Sequence, residues 1–345
     1  MIDCPSQHTL RQFRHTAGCI PSALLTLALL GGCGGGGGGG GGGTSSGQTY
    51  TGLTTPATVT LSNADELAAK SYTNGNSVTS IGDVVSAPGQ PGTVPDTGSN
   101  SVTITEWAQA QIRFVLARES SELAARNAQS AANPAKEARS TSGSLTGDCG
   151  GSATYAIAAD SVTRSFSGSF TFASYCNEAT TITGSFSFSG SLDVDDSFAT
   201  TSLALSELTL VTSDQSLTID GTVTTSASGA TITITSNLVL RDNTTAKTYK
   251  TEDLVVTAVA ATSSASITFT GRVYHPTEGY VTLSTPTPLV VVAGDHYPSS
   301  GTFVATGANN GTVTVTALSN TTYQVEIDIN GDGTPESTST EVWGD

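Results

Sequence analysis

Positive charge is scarce in this chain: 13 Lys and Arg stand against 29 Asp and Glu, a formal net charge of −16. That balance excludes nucleic acid as a partner, because no basic patch is available to release phosphate counterions. It also excludes electrostatic attachment to anionic headgroups, so any membrane contact has to come from lipid. Aromatic residues are only 6% of the chain, and the shortage of Tyr and Trp leaves little for the interfacial girdles of an outer-membrane barrel. The apolar run from Ala23 to Leu30 is too short to span a bilayer. The chain also lacks a Gly-x-Ser-x-Gly elbow, a His-Glu-x-x-His metal helix and a phosphate-cradling glycine loop that opens a helix. What it has in abundance is Thr, Ser, Gly, Ala and Val, a composition suited to strands and turns. Its 345 residues suffice for one large domain with an appendage, whose core can stand without staples.

Arg11 and Arg14 precede the apolar run, which gives residues 1–32 the charged start and apolar middle of a signal peptide. The run ends Leu30-Gly31-Gly32-Cys33, which resembles the lipobox of bacterial lipoproteins, with an aliphatic residue three before the cysteine and two small residues between. Ala17-Gly18-Cys19 has similar small residues, but Arg14-His15-Thr16 precedes it where an apolar run is needed. The resemblance implies cleavage before Cys33 and lipidation of its thiol. Cleavage would leave 13 − 2 = 11 basic and 29 − 1 = 28 acidic residues, a net of −17. Residues 33–60 read as a tether: Gly34 to Gly43 is unbroken glycine, a flexible coil spanning about 5–6 Å × √n. In resembling lipoproteins an aspartate after the lipidated cysteine retains the protein in the inner membrane. Gly34 stands there instead, so the expected location is the cell envelope of a Gram-negative bacterium, lipid-anchored at the outer membrane.

Residues 61–140 read as a helical and loop segment. Asn63 can cap a short helix and Glu66 can bond back to it. Thr103-Ile104-Thr105-Glu106 repeats the device before a longer helix expected to run to about Ala132 and stop at Pro134. Ile104, Trp107, Ala108, Ile112, Val115, Leu116 and Leu123 recur at helical spacing and form one packing stripe. From 141 to 345 the period changes to two, as in Phe170/Phe172, Phe186/Phe188, Leu203/Leu205, Ile267/Phe269 and Val325/Ile327. Gly168-Ser169-Phe170-Thr171-Phe172 recurs as Gly184-Ser185-Phe186-Ser187-Phe188, which suggests successive hairpin strands. Turn signals such as Asn309-Asn310-Gly311, Asp242-Asn243 and Ser228-Gly229 keep the links short. The expected fold is mainly β: a long antiparallel meander of a dozen or so strands, as a curled sheet, open barrel or two layers, with a small N-terminal helical segment. With Cys33 consumed by lipid, Cys149 and Cys176 remain as a pair. An oxidising compartment favours a disulfide between them; the alternative is two buried thiols.

The sharpest local signal is Asp328-Ile329-Asn330-Gly331-Asp332-Gly333-Thr334-Pro335-Glu336. Hard Ca2+ takes six to eight oxygens, and acids or amides at alternate positions of a tight loop direct oxygens to one centre. The pattern resembles the start of an EF-hand loop, but the twelfth position is Ser339 and the flanks are strands. The nine-residue loops of integrin-type β-propellers fit better, and that resemblance implies Asp328, Asn330, Asp332, the Thr334 carbonyl and Glu336 as ligands of a structural calcium. The alternative is a hairpin turn in which Asp and Asn bond their own backbone. His275 and His296 are the two histidines after residue 32. A hydrolase would use one of them with Asp295 or Glu278 as orienter, yet both read as solvated loop residues. Asp193, Asp195 and Asp196 read as a soluble turn, with a second cation site as the alternative.

Together, the lipobox, the Asn-Ala-Asp-Glu helix start, the Thr/Ser-rich meander and the ending from Asp328 to Trp343 resemble a group of proteobacterial lipoproteins. That group has no established activity, so the resemblance lends location and shape. The expected role is a noncatalytic envelope or surface protein that binds a glycan, lipid or protein partner, or serves adhesion or structure. An exported hydrolase and an outer-membrane β-barrel are the alternatives.

Overall fold

The structure is a computed structural model that describes residues 47–68, 108–113, 115–116, 139–177, 180–211, 216–295 and 297–343. Its first seven strands are β1 (Arg139–Thr146), β2 (Ser152–Asp160), β3 (Ser165–Asn177), β4 (Thr180–Leu192), β5 (Phe198–Val211), β6 (Ser216–Ser228) and β7 (Thr231–Asp242). The second seven are β8 (Thr248–Ala260), β9 (Ser264–His275), β10 (Gly279–Val292), β11 (Ser300–Thr306), β12 (Thr312–Ala317), β13 (Thr322–Asp328) and β14 (Ser337–Val342). They form one 14-stranded sheet in strict sequence order, every neighbouring pair antiparallel, and β1 and β14 are not paired with each other. This is the expected mainly-β meander, unclosed. Among the described residues two short α-helices accompany it, α1 (residues 64–68) and α2 (residues 108–113 and 115–116).

Period-two patterning decides which face is buried. Phe170, Phe186, Leu203, Ile219, Leu240, Val256, Ile267, Phe303, Val313 and Val325 point inward and join one contiguous core. Ala64 and Leu67 of α1 and Ala108, Ile112 and Val115 of α2 pack into the same core. The described part of the expected stripe is therefore a packing face, while Ile104, Trp107 and Leu123 lie outside the described residues. One core lies against one face of the fourteen strands. The recurring Gly-Ser-Phe segments are adjacent strands with Phe170 opposite Phe186, their rings stacked at 5.1 Å. Gly168 faces Phe188, and a Cβ at that glycine would stand 2.5 Å from the ring, so the pair needs glycine.

Bulges interrupt the ladder in a repeated manner. In β5 the bulge sits at Glu207, which has φ of 46°, and in β8 at Asp253, with φ of 48°. Each bulged N–H takes a side-chain acceptor from the neighbouring strand: Glu207 N donates to Asp220 Oδ1 at 2.9 Å, and Asp253 N donates to Asn237 Oδ1 at 2.7 Å. A free N–H at a bulge would otherwise cost the desolvation of an unmade bond.

A disulfide joins Cys149, in the β1–β2 turn, to Cys176 in β3, with Cα atoms 5.1 Å apart. The expected pairing is therefore present. Trp343 follows β14, donates from Nε1 to Ser319 O at 3.0 Å and stacks on Tyr297.

Candidate functional site

The N-terminal described segment decides what happens around His275. From Gly47 the chain crosses the outer face of the sheet. Tyr50 packs edge-on against Tyr274 and donates its hydroxyl to His275 O. Burial, with Tyr274 beside it, pushes the Tyr50 phenol up. Leu53 N bonds Pro276 O, Pro56 makes a parallel bridge to Tyr280, and Ala308 N bonds Ala57 O. The chain then enters α1. Here the expected capping box is not formed: Asn63 Oδ1 accepts Thr60 N, Asn63 Nδ2 donates to Glu278, and Glu66 reaches away to His275. A partner 209 positions distant competes successfully for the Glu66 carboxylate.

His275 is only 3% exposed, so the expectation of a solvated loop histidine is corrected. It is the last residue of β9 and points inward beside Tyr249. Its Nε2 lies 2.9 Å from Glu66 Oε1 and its Nδ1 3.2 Å from Thr277 Oγ1, so both ring nitrogens are hydrogen-bonded. Burial pulls its pKa down, against the opposing pull of Glu66. Asp295 lies at the opposite end of β10 and accepts from Asn320 Nδ2. Of the two proposed orienters only Glu278 is near His275, and it bonds Asn63. The arrangement fixes α1 to the rim of the sheet. His296 and Cys33 lie outside the described residues.

The candidate metal residues all lie in the β13–β14 hairpin. Asp328 is 6% exposed and accepts Gly331 N at Oδ1 and Gly333 N at Oδ2. Asn330 Oδ1 accepts Asp332 N, Asp332 Oδ1 accepts Thr334 N, and Glu336 accepts from Ile329 N and Asn330 Nδ2. The loop is thus closed by its own hydrogen bonds, although each accepting oxygen retains a second lone pair. Among the described residues no group of three or more His, Cys, Asp or Glu converges as a metal site. The Asp193, Asp195 and Asp196 turn is also self-bonded: Asp195 accepts Ser197 N and Oγ, and Asp196 pairs with Arg164.

The outer face carries the most regular chemistry. Ser191, Thr200, Ser226, Thr233, Thr257 and Thr268 stand opposite one another on six consecutive strands. At the usual strand spacing this rank of hydroxyls is about 24 Å long. Near the N-terminal crossing, Glu252 accepts from Lys250, Tyr274 and Arg272, which holds its carboxyl down at about 2.

No family model, curated protein or solved structure matches the chain.

The sequence pattern missed Tyr50, Glu66 and Asp220. Tyr50 and Asp220 belong to no motif and Glu66 reads only as a capping residue; Tyr50 and Glu66 take their roles from His275, more than 200 positions away, and Asp220 from the bulge in the neighbouring strand. The one signal available was Asp220 itself, an acid in an otherwise Thr- and Ser-rich strand.

Proposed function

We propose that the protein is a lipid-anchored, noncatalytic envelope or surface lipoprotein that presents the outer face of its sheet for binding. The single observation that carries this reading is the six-strand rank of hydroxyls, solvent-accessible and without a role in the core. Hydroxyls both donate and accept, so such a face suits a partner that presents polar groups at regular intervals. The lipobox at Cys33 supports the anchor, and the disulfide fits an oxidising compartment. His275, committed to Glu66 and Thr277, supports a structural histidine in place of a general base.

Fractionation of cells expressing the full chain tests the reading. The wild type is expected in the membrane fraction with an acylated Cys33 in its mass spectrum, and Cys33→Ala in the soluble envelope fraction. A bare Cys33 thiol, or wild type recovered from the soluble interior, would overturn it.

Calcium at Asp328, Asn330, Asp332, Thr334 and Glu336 is proposed as a structural ion on the second lone pairs of the loop oxygens. Melting with 2 mM CaCl2 against EDTA is expected to raise Tm in the wild type and not in Asp332→Ala.

A further inference from the structure

We propose that the groove between Gln48 and the outer faces of β4 to β6 is a binding subsite for a neutral oligosaccharide, with Asp220 as its central acceptor. This proposal rests on the binding-protein reading above and names the ligand class.

The groove has a volume of about 470 Å³, within the range of small-molecule sites. Ser185, Ser187 and Ser206 line it from β4 and β5, together with Asp220 of β6 and Gln48. Asp220 is 5% exposed, and its two oxygens differ. Oδ1 accepts the bulged Glu207 N–H, while Oδ2 is buried without a partner. Gln48 Oε1 is likewise buried and unpartnered. Both are acceptors without a donor, which a ligand carrying hydroxyls would supply.

The second bulge shows that Oδ2 is not needed for folding the first. At β7–β8, Asn237 does the same work as Asp220: its Oδ1 accepts Asp253 N, and its Nδ2 donates to Asp253 Oδ1, so both ends of the side chain are used. An amide would support the Glu207 bulge equally well. The sequence instead places a carboxylate there, whose extra oxygen faces a lined groove and costs desolvation while it stays unmatched.

The surroundings select among donors. A divalent cation wants several hard oxygens, and among the described residues no three acids converge. An organic cation is best held by open aromatic faces, whereas Phe186, the aromatic at this groove, is 1% exposed. A sugar matches: its hydroxyls can donate to Asp220 Oδ2 and Gln48 Oε1 while its oxygens accept from the serines, of which Ser185 and Ser206 stand opposite each other on neighbouring strands, about 4.8 Å apart. The net charge of −16 repels acidic glycans, so the sugar is neutral. A Cβ added at Gly47 would stand 3.6 Å from Asp220 Oδ1, so the chain passes directly over the carboxylate.

The test is isothermal titration of the full chain with maltotriose, cellotriose and triacetylchitotriose, and with CaCl2 as comparator. At least one trisaccharide is expected to bind saturably. Asp220→Asn keeps the acceptor for Glu207 N and should weaken that binding at least tenfold with Tm unchanged. Ser187→Trp, which fills the groove from an exposed position, should abolish it. Should Asp220→Asn fail to fold, Ser187→Trp decides the matter. The subsite is overturned if none of the three sugars binds, if only calcium binds, or if the folded variants bind as wild type does. Any of these leaves acylation and fractionation untouched, so failure here is distinct from failure of the lipoprotein reading.

Discussion

The inner and outer faces of the sheet come from the same strands, often from adjacent residues, yet they carry different burdens. Phe186 is 1% exposed and stacks on Phe170, while its neighbour Ser187 is exposed. Burying a side chain such as Phe contributes roughly 1.5–3 kcal/mol. An exposed hydroxyl contributes little, because water offers it equivalent bonds. Stability is thus concentrated on one face, which leaves the other available for recognition. Asp220 crosses that division: it belongs to the outer face but is buried, and one of its oxygens has no structural task.

Substitutions can break or sharpen this contrast. The largest effect is expected from Phe186→Ala, which removes a stacked ring from the centre of the core. It should cost about 3–5 kcal/mol in urea denaturation, and a loss below about 1 kcal/mol would contradict the division of faces. Next comes the rim. Cys149→Ser with Cys176→Ser opens a loop between residues separated by 27 positions, with an expected loss of about 3.5 kcal/mol on the chain-entropy account. Equal urea midpoints for oxidised and reduced wild type would show that the bridge constrains nothing.

A smaller, pH-dependent effect belongs to His275. Burial holds its folded-state pKa below the unfolded value, so the stability tied to the neutral ring is complete above about pH 6.5. It is lost as pH falls through the lowered folded value. Tm should therefore drop on acidification, and His275→Gln should flatten that drop. Parallel Tm profiles for variant and wild type would remove the histidine from the acid response. The smallest effect is expected on the outer rank: Thr233→Ala should stay within about 0.5 kcal/mol of wild type. A loss of about 2 kcal/mol there would mean that the hydroxyl rank helps to hold the sheet together.

Much of the sheet was legible because its signal is local. Phe170/Phe172, Phe186/Phe188, Leu203/Leu205, Ile267/Phe269 and Val325/Ile327 are all buried, as their alternation implied. Turn chemistry was equally direct: Asn309 and Asn310 adopt φ of 55° and 60° between β11 and β12. The rim was not legible. Asn63 and Glu66 carry a capping pattern, but Glu278 and His275 offered them partners more than 200 positions away. The same distance hid the burial of His275, whose neighbours Pro276 and Thr277 read as an exposed turn. The bulges escaped notice because one extra residue in a strand leaves no compositional mark.

Residue order alone pointed to the meander and its buried face, because period-two patterning and short links allow few other arrangements; it offered Cys149 and Cys176 as a pair but left bonded and free thiols open. Tertiary structure decided where the chain before β1 lies, that His275 and Glu66 meet, and that Asp220 keeps an unmatched oxygen. Those outcomes depend on which distant strand supplies a hydrogen-bond partner, and local sequence does not encode that choice.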